Sequence, residues 1–213
     1  MSETIKQAKL VQYLSEAYAK EKELETALEA HIAMTTRKPY EKRLKEHLKE
    51  TKRHGRELER RIKTVGGGGP QLVDKAAGQA LGKVKSLAKG PLHTLRGAGE
   101  AEKMLKNAKT EYFNEHEEIA TYIAIETLAE QLGDAETAKL ARAIRRDEER
   151  MASFLEKQIP VLTKAVVTEE IPAKERRSNG ARPAARRRSS QGGSRTRARA
   201  KSSGRRRTAA SRS

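Results

Sequence analysis

The chain has 213 residues, only 3% of which are aromatic, and it contains no Trp and no Cys. Without Cys there are no disulfides, iron–sulfur clusters, zinc–thiolate sites or cysteine nucleophiles, so any bound metal must use oxygen and imidazole ligands. Ala, Glu, Lys, Leu and Arg dominate the composition, which predicts an all-α fold.

The formal net charge of +17 is concentrated at one end of the chain. Residues 172–213 hold 15 Lys or Arg and the single acid Glu175, a net charge of +14, so the first 171 residues carry only +3. The first residues lack the apolar core of a secretory signal, and no run approaches the roughly 18 apolar residues that cross a bilayer. We therefore expect a cytoplasmic protein without membrane insertion, with a near-neutral body and a cationic tail.

Four segments with apolar residues at three- and four-residue steps predict four helices, at about residues 5–34, 39–65, 100–132 and 135–162. The segment between the second and third, residues 66–99, holds nine of the 15 glycines. It is too long for a tight hairpin and can cross the length of a bundle. Two antiparallel helix pairs joined by one long crossover predict an antiparallel ferritin-like four-helix bundle over residues 1–165. Residues 166–213 are expected to form a disordered tail rich in Arg, Ser and Ala.

Each predicted helix carries polar residues on or beside its apolar stripe. Burying several carboxylates that face one another costs free energy through desolvation and repulsion, and a divalent cation removes both penalties. Glutamate and imidazole together form a hard ligand set that suits iron or manganese and can hold zinc. The candidate ligands are Glu21, His47, Glu50, His54, Glu115 and Glu148, with Glu118 at the edge of its stripe.

The competing interpretation is that these acids are solvated or salt-bridged, since 35% of the chain is charged. One acid on an apolar stripe would be a coincidence, but one in every helix favours a metal site. His31, His93 and His116 lie apart from this pattern, and we expect them to be structural or exposed.

Four segments resemble the YciF-like branch of the ferritin-like superfamily, a bacterial stress-associated group, over about residues 7–165. They are AKEKELETAL around Glu21, HLKETKRHGRELERRI from His47, EHEEIATYIAIETLAEQLG from Glu115 and DEERMASFLEKQIPVL from Asp147. The resemblance implies a homodimer whose bundles each hold a di-metal carboxylate centre of iron or manganese, and the departures from the family pattern leave one ion, two ions or none as the expected content. It places the metal ligands at Glu21, Glu50, His54, Glu115 and Glu148.

The sequence departs from the Glu-x-x-His pattern that is usual in this superfamily. That pattern would place histidines at Arg53 and Met151, whereas this chain has His54 and no histidine in the fourth helix. Glu118 or His47 is then expected to complete the ligand shell. With two metals, the resemblance implies a centre that reduces oxygen or peroxide near Tyr18, Tyr112 or Tyr122.

The tail from Lys174 onward has no apolar periodicity and no aromatic residue. It is expected to bind DNA or another polyanion through counterion release, with little sequence preference. The alternatives are a solubilising appendage and, less favoured, attraction to an anionic membrane surface. The cations assigned to nucleic acid are Arg186, Arg187, Arg188, Arg195, Arg197, Arg199, Lys201, Arg205, Arg206 and Arg207.

Two functions follow from these patterns. The first is a stress-associated metal-binding bundle with oxidase or peroxide-scavenging activity, held on DNA by the tail. The second is a non-catalytic, nucleoid-associated protein whose bundle only dimerises and presents the tails.

Overall fold

A computed structural model describes residues 4–66 and 99–176 of the chain. These two segments contain no β-strand, so the predicted all-α class is confirmed. Three features that the sequence singled out lie outside the described residues. They are the crossover within 67–98, His93, and the tail with its assigned cations from Arg186 to Arg207. The helices are α1 (Ile5–Met34), α2 (Lys38–Val65), α3 (Glu100–Leu132) and α4 (Ala135–Glu170), followed by a short 3-10 helix at Ala173–Glu175.

Local sequence explains where the helices begin and end. Thr4 starts α1 through a reciprocal capping box with Gln7. Gly133 ends α3 in the left-handed region, with φ of 74°, where a side chain would be strained. The next residue, Asp134, then caps α4 by accepting a hydrogen bond from the backbone N–H of Thr137 at 3.0 Å.

Two apolar clusters fill the two ends of the bundle. The upper cluster joins the start of α1, the end of α2, the end of α3 and the start of α4, and the lower cluster joins the opposite end of each helix. Helix α1 is therefore antiparallel to α2 and α3 and parallel to α4. As a result, α2 ends and α3 begins at opposite ends of the bundle, which is the ferritin-like connectivity that the sequence predicted.

The packing order places α2 and α3 on a diagonal. Helix α1 packs against α2 and α3, and α4 packs against α3 and α2. No stretch of these four helices is long and apolar enough to cross a membrane.

Helix α4 extends to Glu170, well past the end near Leu162 that the sequence predicted. Pro160 lies inside the helix, and Leu162 just beyond it is fully buried and anchors the last turns. Near the end of α4, the Glu169 carboxylate accepts hydrogen bonds from the first two backbone N–H groups of α3, at 2.9 and 3.0 Å. These contacts hold the last turns of α4 in place and give hydrogen-bond acceptors to backbone N–H groups at the start of α3 that have no partner within their own helix.

The lower apolar cluster predicts a strong stability effect at Leu155, which is completely buried there. Leu155→Ala should lower the free energy of unfolding by about 2–5 kcal/mol, because it leaves a cavity in a closely packed core. Ile5→Ala is the control, since Ile5 is 91% exposed, and it should change the value by less than about 0.5 kcal/mol. Urea unfolding of both variants in a chelator measures the difference, and equal stabilities would contradict the described core.

Candidate metal centre

A layer of buried polar side chains separates the two apolar clusters at mid-bundle. Its members come from all four helices, and each is at most 3% exposed. Six of the seven candidate ligands from the sequence are therefore buried together in this layer. The members are Glu21 from α1, His47 and His54 from α2, Glu115 and Glu118 from α3, and Glu148 from α4.

Glu148 lies between the two histidines of this layer. Its Oε1 is 2.9 Å from His54 Nδ1, and its Oε2 is 3.6 Å from His47 Nε2. Glu21 Oε1 lies 3.4 Å from His54 Nδ1, and Glu115 Oε1 lies 3.1 Å from His47 Nε2. Two ligand groups result, each with one imidazole and one carboxylate of its own, and they share Glu148.

The outer nitrogen of each imidazole faces a carboxylate outside the layer. His54 Nε2 lies 3.1 Å from Asp147 Oδ2, and His47 Nδ1 lies 3.2 Å from Glu50 Oε2. Arg53 donates a hydrogen bond to Asp147, and its Nη2 also lies 3.1 Å from His54 Nε2, so Arg53, His54 and Asp147 form one connected group. In a neutral imidazole, a proton on the outer nitrogen leaves the inner nitrogen free to bind a metal.

Two predicted ligands, Glu118 and Glu50, do not lie where the apolar stripes of their helices predicted. Glu118 was placed at an edge, yet it is buried in the layer, because α3 packs against both α1 and α4 and so has a wide buried face. Glu50 has a side chain that is 22% exposed, and it pairs with Arg43 at 3.0 Å and with His47, outside both ligand groups.

The sequence analysis missed two buried acids. Asp147 directly precedes Glu148, and the packing of α4 against α2 buries it behind His54. Glu111 lies one turn before Glu115 and accepts a hydrogen bond from the Tyr40 hydroxyl. In the sequence, Glu111 could have been found from its position one helical turn before Glu115, and Asp147 from its position next to Glu148.

Glu111 also explains one of the remaining histidines. Its Oε1 lies 2.7 Å from His31 Nδ1, and both side chains are buried, so His31 is structural as expected. His116 is exposed, and its Nδ1 lies 2.9 Å from the carbonyl oxygen of Tyr112.

The three tyrosines that the sequence placed near the centre differ in position. Tyr122 is buried, and its hydroxyl donates to Glu21 Oε1. Tyr18 belongs to the upper apolar cluster, and Tyr112 packs its ring against that of His116. Tyr122 is thus the tyrosine that contacts the polar layer through a hydrogen bond within the described residues.

Burial and charge shift the proton affinities of the layer. Burial raises the pKa values of Glu21 and Glu118, and the Glu148 carboxylate raises them further. Burial also raises the pKa of Glu115 to about 8. Burial alone would lower the histidine values, but neighbouring carboxylates raise the pKa of His47 to about 10 and that of His54 to about 12.

The unsatisfied atoms of the layer test whether a metal fits. Five carboxylate oxygens lack a hydrogen-bond partner among the described residues: Glu21 Oε2, Glu115 Oε2, Glu118 Oε1, and both oxygens of Glu148. His54 Nδ1 belongs to the same set of atoms, with Glu148 Oε1 2.9 Å away. Such buried groups are costly unless a cation satisfies them, so the residues fit a divalent metal with oxygen and nitrogen preference.

A four-helix bundle with one long crossover and a carboxylate–imidazole layer at its middle defines the ferritin-like class. The family model described as "Domain of unknown function (DUF892)" matches residues 6–168 of the chain. The chain belongs to this family.

Three solved structures share the fold. A protein from Xanthomonas campestris pv. campestris is 26% identical with a TM-score of 0.61, and the match covers 78% of this chain and 99% of that one. YcfI from Rhodopseudomonas palustris is 20% identical with a TM-score of 0.58, over 73% of this chain and 95% of that one. The E. coli stress protein YciF is also 20% identical, with a TM-score of 0.57, over 76% and 98%. The predicted resemblance to the YciF-like branch is thereby confirmed. No curated protein matches the chain in sequence.

The raised pKa values predict that the metal-free protein loses stability as pH rises. The stability that Glu115 contributes to the folded state is complete below its ordinary pKa of 4.5 and is lost as pH rises to about 8. The stability that His47 contributes is complete below 6.5 and is lost as pH rises to about 10. We expect the free energy of unfolding to fall by roughly 2 kcal/mol or more between pH 6 and pH 9. Urea unfolding in a chelator measures this, and Glu115→Gln should make the decline shallower. A stability that rises over this range would refute the described protonation.

Proposed function

We propose that the protein binds two ions of iron or manganese in the mid-bundle layer and shares Glu148 between them. The observation that carries the proposal is the position of Glu148, whose two oxygens face two separate imidazole–carboxylate groups. In this proposal His54 and Glu21 hold one ion, and His47 and Glu115 hold the other. Glu118 supplies a further oxygen from the same layer.

The surroundings of the layer would favour redox chemistry over simple storage. Iron or manganese bound there would supply one-electron chemistry toward oxygen or peroxide. The chain itself excludes bulk water, because apolar clusters close the layer above and below. Asp147 and Glu50 orient the two imidazoles, and Tyr122 fixes the Glu21 carboxylate by a hydrogen bond.

A role in stress is part of this proposal. The E. coli protein of the same fold is called a stress protein, and the buried layer offers the chemistry that oxidative stress would require. We therefore propose that the bundle removes oxygen or peroxide when it holds its metal.

The shared carboxylate predicts a distinctive pattern of metal stoichiometry. Glu148→Gln should lose both ions, whereas Glu21→Gln and Glu115→Gln should lose one each, because each of these serves one group. Elemental analysis of protein from iron- and manganese-replete medium measures the content, with titration of the stripped protein as a second readout.

The matched control is Glu111→Gln. Glu111 is as deeply buried on the same helix, but its oxygens already have partners in His31 and Tyr40. It should leave the stoichiometry near two. A wild-type chain that takes up no metal would end the proposal and leave the alternative that the bundle only carries the tails.

We also propose that the tail holds the protein on DNA. The support is its net charge of +14 over residues 172–213, with no aromatic residue that could read bases. The attraction should therefore depend on salt and be indifferent to sequence.

Six arginines in two clusters test the tail in the full-length chain. Replacing Arg186, Arg187, Arg188, Arg205, Arg206 and Arg207 by Gln should reduce the slope of log affinity for duplex DNA against log salt by about 5, at about 0.9 per lost phosphate contact. Fluorescence anisotropy measures the slope. An unchanged slope would show that the tail does not contact DNA.

A further inference from the structure

The outer face of α2 carries a continuous row of positive charge. Eight of the 11 exposed residues of this helix are Lys or Arg, and they follow one another at steps of three or four along its whole length. At 100° per residue these steps keep the row straight along one side of the helix. The row consists of Lys38, Lys42, Lys45, Lys49, Arg53, Arg56, Arg60 and Lys63.

Half of this row has no acidic partner on the body. Lys42, Lys49, Arg56 and Arg60 form no ion pair with any residue in the two segments that the structure describes. In contrast, Lys38 and Lys45 both pair with Glu41. Four exposed and unneutralised cations at regular spacing leave a strong positive potential along α2.

The charge of the bundle is segregated between diagonally opposite helices. Helix α2 has 11 Lys or Arg and five Glu, a net charge of +6, whereas α3 has three Lys and eight Glu, a net charge of −5. Because three of the α3 glutamates, Glu111, Glu115 and Glu118, are buried, the outer side of α3 carries only five Glu against three Lys, and the exposed charge of this helix pair is concentrated on α2.

We propose that this α2 row binds the phosphate backbone of double-stranded nucleic acid without sequence preference, independently of the tail. The row spans about 38 Å, from 1.5 Å per helical residue, which is close to one turn of the duplex at about 34–36 Å. The duplex presents one negative charge per about 1.7 Å of its axis, so a straight row of cations can follow it.

The composition of the face favours this partner over the other anionic ones. The three remaining exposed residues of α2 are Pro39, Glu46 and Thr64, so the face has no large apolar side chain. An anionic membrane surface would be held more firmly with an apolar anchor, and protein interfaces use aromatic or aliphatic anchors. A polyphosphate backbone requires only the charges.

Two four-fold variants of the full-length chain test the proposal. The test variant carries Lys42→Gln, Lys49→Gln, Arg56→Gln and Arg60→Gln. The control removes the same charge from α4, at positions that are likewise exposed and without an ion pair, by Lys139→Gln, Arg146→Gln, Lys157→Gln and Lys164→Gln. Circular dichroism and thermal melting should show that both keep the fold, since no substituted side chain is buried.

The readout is anisotropy with a duplex DNA of mixed sequence, between about 50 and 200 mM salt. The test variant should bind at least tenfold more weakly than the control, and its slope of log affinity against log salt should fall by about 3–4. The same difference should persist when the six tail arginines are also Gln.

Three results would overturn the proposal. The first is equal affinity of the test and control variants for DNA. The second is that the test variant no longer binds vesicles that contain phosphatidylserine but still binds DNA as well as the control does. The third is a concentration-dependent self-association that the α2 substitutions abolish while DNA binding is retained, which would identify the acidic α3 face of a second copy as the partner.

Discussion

The burial of Glu148 is the constraint on which the arrangement of the bundle depends. This glutamate is fully buried, and neither of its carboxylate oxygens has a hydrogen-bond donor among the described residues. His54 and His47 offset part of its charge, but buried oxygens without hydrogen-bond donors still cost about 1–3 kcal/mol each, against a total stability of about 5–15 kcal/mol for a domain. The two apolar clusters must therefore stabilise a layer that destabilises the fold on its own. Their position on both sides of the layer also keeps water away from it.

Placing both imidazoles on α2 changes the geometry from the usual superfamily pattern. His47 and His54 are seven residues apart, so their backbones are separated by about 10.5 Å along the helix. Their side chains converge because they use different nitrogens, Nε2 of His47 and Nδ1 of His54, toward the same Glu148. In the proposed site, the second histidine of α2 would take the place of the missing histidine of α4. In the metal-free protein the carboxylates around each ring, including Glu50 or Asp147 on its outer side, favour the protonated imidazole, so a bound metal would have to displace the proton on the inner nitrogen.

Periodicity was sufficient to predict the four helices, their connectivity and the inward polar residues, because burial of one helix face fixes which positions point inward. It was insufficient where a side chain's place depends on two neighbouring helices at once. Glu118 is buried because α3 contacts both α1 and α4, while Glu50 is drawn toward Arg43 at the edge of the site. The extra turns of α4 were missed because the residues after Leu162 carry little apolar periodicity, and what holds them is a contact with another helix, the hydrogen bonds from the start of α3 to Glu169.

The two faces of α2 can serve different partners because charge is separated across the bundle. Two packed helices span about 20 Å, which exceeds the Debye length of about 8 Å at physiological salt, so the potentials of α2 and α3 act locally. The positive row of α2 attracts polyanions and repels metal ions, whereas the outer side of α3, with five Glu against three Lys, is only weakly negative. A duplex bound along α2 would therefore leave the α3 side open to cations. The same helix would hold the duplex on its outer face and the imidazoles on its inner face, one helix diameter apart.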